Sequence, residues 1–171
     1  MSFPVSPSAP VVLSSWSRYS RFDPKLFLSE VGKTMLPDRM KKAEIAMLKV
    51  SLRALELGAV VSKPIFEGGR YDYVIETNGK LYRAQVKYAD GNYRRIRGAV
   101  YVNLRKQIKK NRNHPYDESE IDVLLVYIPK IDKVCWFGPE VFNRRHNLSI
   151  RIAPAGNGQV RGCIAAADYL W

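Results

Sequence analysis

The sequence has little cysteine and histidine, and this scarcity excludes several kinds of site. Its 171 residues contain two cysteines and two histidines, and the cysteines fit neither a disulfide framework nor the ligand spacing of a zinc site. No apolar run approaches the roughly 18 residues that a membrane-spanning helix needs, and the first residues lack the pattern of a signal peptide. We therefore expect a cytoplasmic protein that has no membrane partner.

Acidic residues are scarce in one part of the chain. Residues 80–112 contain 11 lysines or arginines and a single acid, Asp90, which gives this block a net charge of +10. The rest of the chain contributes 17 basic and 15 acidic residues to the total of +12. A solvated basic face is one interpretation of the block. The interpretation we favour is a surface that binds a polyanion, of which nucleic acid is the commonest.

The chain divides into two parts by composition. Residues 1–37 hold five of the ten prolines together with many serines, and we expect a partly irregular N-terminal extension with a possible short helix at 25–33. Residues 38–171 look like one regular domain, which begins with a long helix between Asp38 and Gly58. A helix followed by several strands predicts an α/β fold around a mixed sheet flanked by helices. Strand candidates lie at 59–64, 70–76, 81–88, 99–104, 121–129, 133–139 and 148–154.

The long helix carries an acid at a position that needs an explanation. Leu48, Leu52 and Leu55 have the spacing of a buried apolar stripe, and Glu44 lies four residues before Leu48. Glu44 is therefore expected on or beside the buried face, where an unpaired carboxylate needs a partner, a metal or a cleft. An acid near the helix start that interacts with the helix dipole is the alternative, and the helix alone leaves both open.

A predicted hairpin brings three polar side chains to one surface. Asn78-Gly79 is typical of a two-residue type I′ turn, so paired residues have numbers that sum to 157 and Asp72 lies opposite Gln85. Lys87 is two residues beyond Gln85 and projects from the same face. The other face presents residues that look like core: Tyr73, Ile75, Ala84 and Val86.

Two interpretations of the polar face remain open from the residues alone. Asp72 and Lys87 can form an ordinary cross-strand pair on a solvated surface. The alternative is a metal site that anchors a phosphate, and this is favoured by the inward-looking Glu44 and by the basic block that surrounds these acids.

The hairpin residues also carry a family resemblance. Tyr71-Asp72 followed by Gln85-Val86-Lys87 resembles the signature of PD-(D/E)XK nucleases, whose helix and strand order is that of restriction endonucleases and archaeal Holliday junction resolvases. More narrowly, "YDYVIETNGKLYRAQVK" and "IDVLLVYIPKIDKVCWF" resemble the small PD-(D/E)XK homing endonucleases of bacterial group I introns, in which glutamine also replaces the second acid. The resemblance covers about residues 38–140 and implies a restriction-endonuclease-like core in a protein of the bacterial cytosol or nucleoid.

This resemblance implies a role for each residue of the polar face. Asp72 and the backbone carbonyl of Val86 would ligate Mg²⁺ or Mn²⁺, and Glu44 would be an outer acid or a ligand of a second ion. Gln85 would orient the metal or a water, and Lys87 would polarise the attacking water. Gln85 departs from the family pattern because an amide oxygen can ligate a hard cation but brings no charge. The replacement of an acid by Gln85 leaves three possibilities open: a working site with weaker metal affinity, a site in which Glu44 compensates for the missing charge, or a silent binding module.

The activity implied is site-specific, metal-dependent double-strand cleavage of DNA of the intron homing type. A Holliday-junction resolvase and a catalytically silent nucleic-acid-binding module are the alternatives. The resemblance also implies a homo-oligomer, a dimer or a tetramer, and residues 134–142 offer apolar surface for it, although core packing accounts better for most of them. Asn103, Gln107 or arginines are expected to read base edges. The residues assigned to DNA contact are Lys42, Arg94, Arg95, Arg97, Asn103, Arg105, Lys106, Gln107, Lys109, Lys110 and Arg112.

Overall fold

The computed structural model describes residues 36–66, 68–92, 98–109, 112–154 and 162–171. Helix α1 (Asp38–Glu56) begins at the predicted residue and ends two residues before Gly58, which has the left-handed φ of +70° that a helix-ending glycine adopts. Almost all of the predicted extension 1–37, with the possible helix at 25–33, lies outside the described residues.

Most of the domain after α1 is β-structure, which forms three sheets. The first has five strands in the order β1-β2-β3-β8-β9, the second has four in the order β11-β10-β5-β4, and β6 and β7 form a separate ribbon. The described strands are β1 (Val60–Ser62), β2 (Tyr73–Thr77), β3 (Lys80–Tyr88), β4 (Gly91–Asn92), β5 (Ala99–Asn103), β6 (Arg105–Lys109), β7 (Arg112–Pro115), β8 (Val123–Ile128), β9 (Lys133–Phe137), β10 (Asn147–Arg151) and β11 (Ile164–Ala165).

The five-stranded sheet is mixed, as predicted. β3 and β8 run parallel, whereas the other neighbours in this sheet are antiparallel. β8 lies next to β3 and is buried along its whole length, which explains its continuous apolar sequence. Its side chains alternate between two core clusters, with Leu124, Val126 and Ile128 in one and Val123, Leu125 and Tyr127 in the other.

Helix α1 packs on one face of this sheet through an unexpected set of residues. The prediction that Leu48, Leu52 and Leu55 form the buried stripe is wrong, because their exposed fractions are 68%, 52% and 74%. Glu44 is exposed as well, so its predicted position on the buried face is also wrong. Small side chains let the helix approach the sheet closely, and the leucines on the opposite side turn away from it. The buried residues of α1 are Ala46, Val50 and Ala54.

The core cluster that contains Leu124, Val126 and Ile128 is shared by the five-stranded and the four-stranded sheets. It contains side chains of β8 and β9 together with residues of the second sheet and of the short helix α2 (Pro139–Phe142). Most of the apolar side chains at 134–142 are buried, so core packing accounts for them, and Cys135 among them has its pKa raised by burial to about 11. No helix in the described part of the chain is long and apolar enough to cross a membrane.

The ribbon of β6 and β7 begins in the last part of the basic block and extends three residues beyond it. Lys106 pairs with His114 and Gln107 with Asn113, and the register shifts at a bulge between Gln107 and Lys109. A bulge bends a two-stranded ribbon and increases its twist. The chain therefore presents its most basic sequence on a narrow element rather than in a sheet interior.

Candidate active site

The β2–β3 hairpin has the predicted register. Asn78 and Gly79 both have positive φ, +51° and +69°, as a type I′ turn requires. Tyr73 pairs with Ala84 at the end of the ladder, and Asp72, which directly precedes β2, donates its backbone N–H to the carbonyl of Ala84 at 2.9 Å. The predicted core face of the hairpin is buried against α1.

The carboxylate of Asp72 lies against Gln85 and Val86. Its Oδ2 accepts a hydrogen bond from the side-chain amide of Gln85 and another, at 2.8 Å, from the backbone N–H of Val86. The amide nitrogen of Gln85 is also 3.4 Å from the carbonyl oxygen of Val86. Gln85 is only 7% exposed and is the one polar side chain in the described residues that is classed with the buried core. Its amide is therefore held where two oxygens converge.

This donor set fits a hard divalent cation. Rotating the Gln85 amide by half a turn would place its oxygen beside Oδ2 of Asp72 and the carbonyl oxygen of Val86, an arrangement that a cation between the three oxygens would stabilise. One carboxylate, one amide oxygen and one backbone carbonyl are oxygen ligands of the kind that Mg²⁺ uses alongside several waters. The described residues hold no cluster of three acidic, histidine or cysteine side chains that could bind a metal.

Lys87 is held by a residue that the sequence analysis did not select. Its ammonium donates to the hydroxyl of Tyr116 at 3.2 Å and lies 5.1 Å from the centre of the tyrosine ring. Tyr116 is 3% exposed, and burial and the nearby charge of Asp72 raise its pKa, so it stays protonated. Tyr116 follows β7 directly, and no sequence signal links it to Lys87, because only the tertiary fold brings them together.

The site opens into a cavity of about 330 Å³. Glu44 lies on its wall with Asp72, although Glu44 is on the exposed side of α1, so the structure brings these two acids to one cavity. The polar wall also includes Gln85 and Tyr116, and an exposed lysine, Lys63, lies at its edge. The remaining wall is largely apolar and includes Ala43, Met47, Pro64 and Phe66. A cavity lined by both polar and apolar side chains suits a ligand that has both a charged group and rings.

A second polar pair lies beside the site on the same face of β3. Arg83 donates to the carboxylate of Asp122 from Nε at 3.0 Å and from Nη2 at 2.7 Å, and its Nη1 donates to the carbonyl of Ser119 at 2.7 Å. These hydrogen bonds lower the pKa of Asp122 below its ordinary value. They fix the turn that precedes β8, and Tyr116 lies just before this turn in the chain.

The predicted DNA-contacting residues are described to different extents. Lys42 forms ion pairs with Asp38 at 2.6 Å and with Asp90 at 2.7 Å, while Arg105 and Asn103 are exposed, as a surface role requires. Residues in β6 and β7 have a described backbone: Lys106, Gln107, Lys109 and Arg112. The remaining predicted contacts lie outside the described residues: Arg94, Arg95, Arg97 and Lys110.

Comparison with known proteins finds similarity in sequence and in fold. The family model for PD-(D/E)XK endonucleases matches residues 38–171. Among solved structures, the chain is similar to a bacterial homing endonuclease, I-Ssp6803I, with a TM-score of 0.64 and 23% identity over 78% of this chain and 89% of that one. At this identity the likeness shows a shared fold, which is the predicted restriction-endonuclease-like architecture. A search of curated proteins finds none that matches.

Proposed function

The chain belongs to the PD-(D/E)XK endonuclease family, and from this premise we propose that it is a site-specific endonuclease that makes metal-dependent double-strand breaks in DNA, of the intron homing type. The observation that carries the proposal is the convergence of the Asp72 carboxylate, the Gln85 amide and the Val86 carbonyl beside Lys87. We choose the homing type because a solved structure that shares this fold is a bacterial homing endonuclease.

Asp72, Gln85 and the carbonyl of Val86 would hold Mg²⁺ or Mn²⁺ at the polar wall of the cavity. When bound, the ion supplies Lewis-acid stabilisation of the phosphate charge and lowers the pKa of a coordinated water. Glu44 lies on the same wall and would hold a water or a second ion. Gln85 takes the place of an acid, so one negative charge is missing and weaker metal affinity is expected.

Lys87 would stabilise the negative charge that develops at the phosphate during hydrolysis. An ammonium group aimed at the transition state is effective when it is fixed in place before the reaction. The hydroxyl and the ring of Tyr116 restrict the Lys87 ammonium in this way. Tyr116 is thus proposed as a positioning residue for the catalytic lysine.

The ribbon of β6 and β7 would hold the DNA. A two-stranded ribbon fits the major groove of B-DNA, where its side chains can reach base edges. Its lysines and arginines would contact phosphates and make binding strongly salt-dependent. We propose that Asn103, Gln107 or the arginines provide the base contacts, and that the other basic residues hold the backbone.

Cutting both strands requires two sites, so the active form would be at least a dimer. The antiparallel strands of duplex DNA are related by local two-fold axes, which a two-fold-symmetric pair of chains matches. The proposed assembly is a dimer or a tetramer of identical chains in the bacterial cytoplasm.

The test is incubation of total bacterial DNA with the protein, with and without Mg²⁺, followed by sequencing of all new ends. A few discrete, magnesium-dependent double-strand breaks would support the proposal. Cleavage of synthetic four-way junctions without cleavage of duplex DNA would identify a resolvase instead. Tight, salt-sensitive binding with no cleavage of either substrate would identify a silent binding module, since Gln85 would then leave the site without working metal affinity.

A further inference from the structure

Two large apolar side chains protrude into solvent next to the candidate active site. Ile65 is 93% exposed and Phe66 is 83% exposed, the two highest values among the large apolar side chains of the described residues. Both lie in the loop between β1 and β2. Exposed apolar residues of this size are costly in water, and a pair of them beside a functional cavity marks a contact surface.

Phe66 is close to the reacting groups. It lines the cavity of about 330 Å³ that also includes Asp72 and Gln85. Pro64 restricts the backbone on one side of the pair, and Gly68 adopts a φ of +88° where the chain turns back towards β2. Pro64 and Gly68 also line the cavity. Phe66 therefore lies at the cavity, and Ile65 is its immediate neighbour in the β1–β2 loop.

We infer that Ile65 and Phe66 form a wedge that inserts into the base stack of duplex DNA beside the phosphate to be cut. Apolar side chains that enter between base steps unstack them and kink the duplex. A phosphate bound through the proposed metal at Asp72 would bring the adjoining bases to the cavity that Phe66 also lines, and the ring of Phe66 offers a stacking face for a displaced base. The exposed Lys63, on the wall of that cavity, supplies positive charge that suits the DNA backbone at this point.

The wedge rests on the proposed function, because it assigns DNA to the proposed active site. It adds a source of specificity that requires no hydrogen bonds to bases. Steps that unstack easily, such as pyrimidine–purine steps, would be cut in preference to stiff ones. The loop would thus select cleavage positions by the deformability of the DNA rather than by its base edges.

The test measures unstacking and cutting separately on total bacterial DNA. One sample contains Ca²⁺, to allow binding without cutting, and is treated with permanganate and chloroacetaldehyde, which modify unstacked thymines and unpaired adenines and cytosines. A parallel sample contains Mg²⁺ to locate the cuts. The variants are Phe66→Ala and the double variant Ile65→Ala/Phe66→Ala, and Leu55→Ala, a leucine that is 74% exposed on α1, is the matched control.

The wild-type protein and Leu55→Ala are expected to produce modified bases next to each cut, and both wedge variants are expected to lose them. Cleavage by Phe66→Ala should fall about tenfold in kcat/KM, as expected when one stacking contact is removed. Cutting without modified bases would overturn the wedge and leave the endonuclease intact. Phe66-dependent modification without cutting would support the wedge and overturn the cleavage activity, and no DNA binding at all would overturn both. Weaker self-association of Phe66→Ala with unchanged base modification would assign the pair to a protein interface and overturn the wedge.

Discussion

Two carboxylates near the same face of β3 have different environments. Asp122 meets the guanidinium of Arg83, so its charge is neutralised within the chain and its pKa is lowered. Asp72 instead accepts hydrogen bonds from a neutral amide, Gln85, and from a backbone N–H. Arg83 and Gln85 are two residues apart on one strand, so their side chains share a face. The difference teaches that the Arg83–Asp122 pair stabilises the turn before β8, whereas Asp72 lines the cavity where we propose that a cation binds.

Asp72→Asn should give the largest effect expected from this comparison. Loss of the only carboxylate in the proposed ligand set should reduce cleavage by at least about 10³-fold, because a bound metal supplies several kcal/mol of charge stabilisation. DNA binding and the thermal midpoint should change little. Single-turnover cleavage, filter binding and thermal melting of the same preparations measure the three quantities.

The matched variant at the other carboxylate is Asp122→Asn, which should lower the midpoint of unfolding and leave metal dependence unchanged. Near-wild-type cleavage by Asp72→Asn would show that the two carboxylates do not differ in the proposed way.

Lys87→Met should reduce the rate of the chemical step by about 10²-fold, the range found when a preorganised group that stabilises charge is removed. Its effect on KM should be small, since the ammonium acts on charge that develops in the transition state. Tyr116→Phe retains the ring and removes the hydroxyl, so it should lie between the wild type and Lys87→Met. Lys133→Met, which removes an exposed lysine of β9, is the control. Equal losses for Lys133→Met and Lys87→Met would contradict a specific role.

Gln85→Glu would place a charged group beside Asp72, as Arg83 is placed beside Asp122. The two aspartates would then differ in the sign of the neighbouring charge. Adding a carboxylate at the proposed metal site should raise affinity for Mg²⁺ or Mn²⁺ about tenfold, because ligand charge tunes the affinity of oxygen sites. Calorimetric titration with Mn²⁺ measures this change without any cleavage assay. Unchanged affinity would exclude Gln85 from the ligand set, and Gln107→Glu, outside the proposed site, controls for general charge effects.

Arg83→Met removes the ion pair between Arg83 and Asp122, and it should have the smallest effect on catalysis. The pair is more than one third exposed on average, so we expect a loss of only about 1 kcal/mol in the free energy of unfolding. Urea denaturation at neutral pH measures this loss. A fall in metal affinity as large as that of Asp72→Asn would show that the pair belongs to the site.

The contribution of the Arg83–Asp122 pair to folding stability depends on pH, because the pKa of Asp122 is lowered in the folded state. A carboxylate with a depressed pKa in the folded state stabilises the fold above its unfolded pKa of about 3.9, and this contribution is lost as the pH falls through the folded value. Wild-type stability should therefore decline at acidic pH, below about 4. Asp122→Asn should lack this part of the decline, and urea midpoints across this range would detect it.

Local sequence was sufficient for the hairpin but insufficient for the helix. Asn78-Gly79 and the alternation of the two strands fixed the pairing from Tyr73 to Thr77, and the predicted proximity of Asp72 and Gln85 is present as a side-chain hydrogen bond. The spacing of the leucines in α1 predicts the wrong buried face, because the side that packs on the sheet carries Ala46, Val50 and Ala54 instead. Glu44 nevertheless lies on the cavity wall, although the argument that placed it on the buried face was wrong.

The sequence by itself determined the class of fold, the turn and register of the hairpin, and the concentration of positive charge between residues 80 and 112. These features depend on neighbours in the chain or on composition, and short-range rules describe both. Only the tertiary structure decided which face of α1 is buried, that Tyr116 contacts Lys87, and that Phe66 lines the same cavity as Asp72. Each of these depends on how closely two distant elements approach, and that distance is set by packing across the sheet, which no local pattern contains.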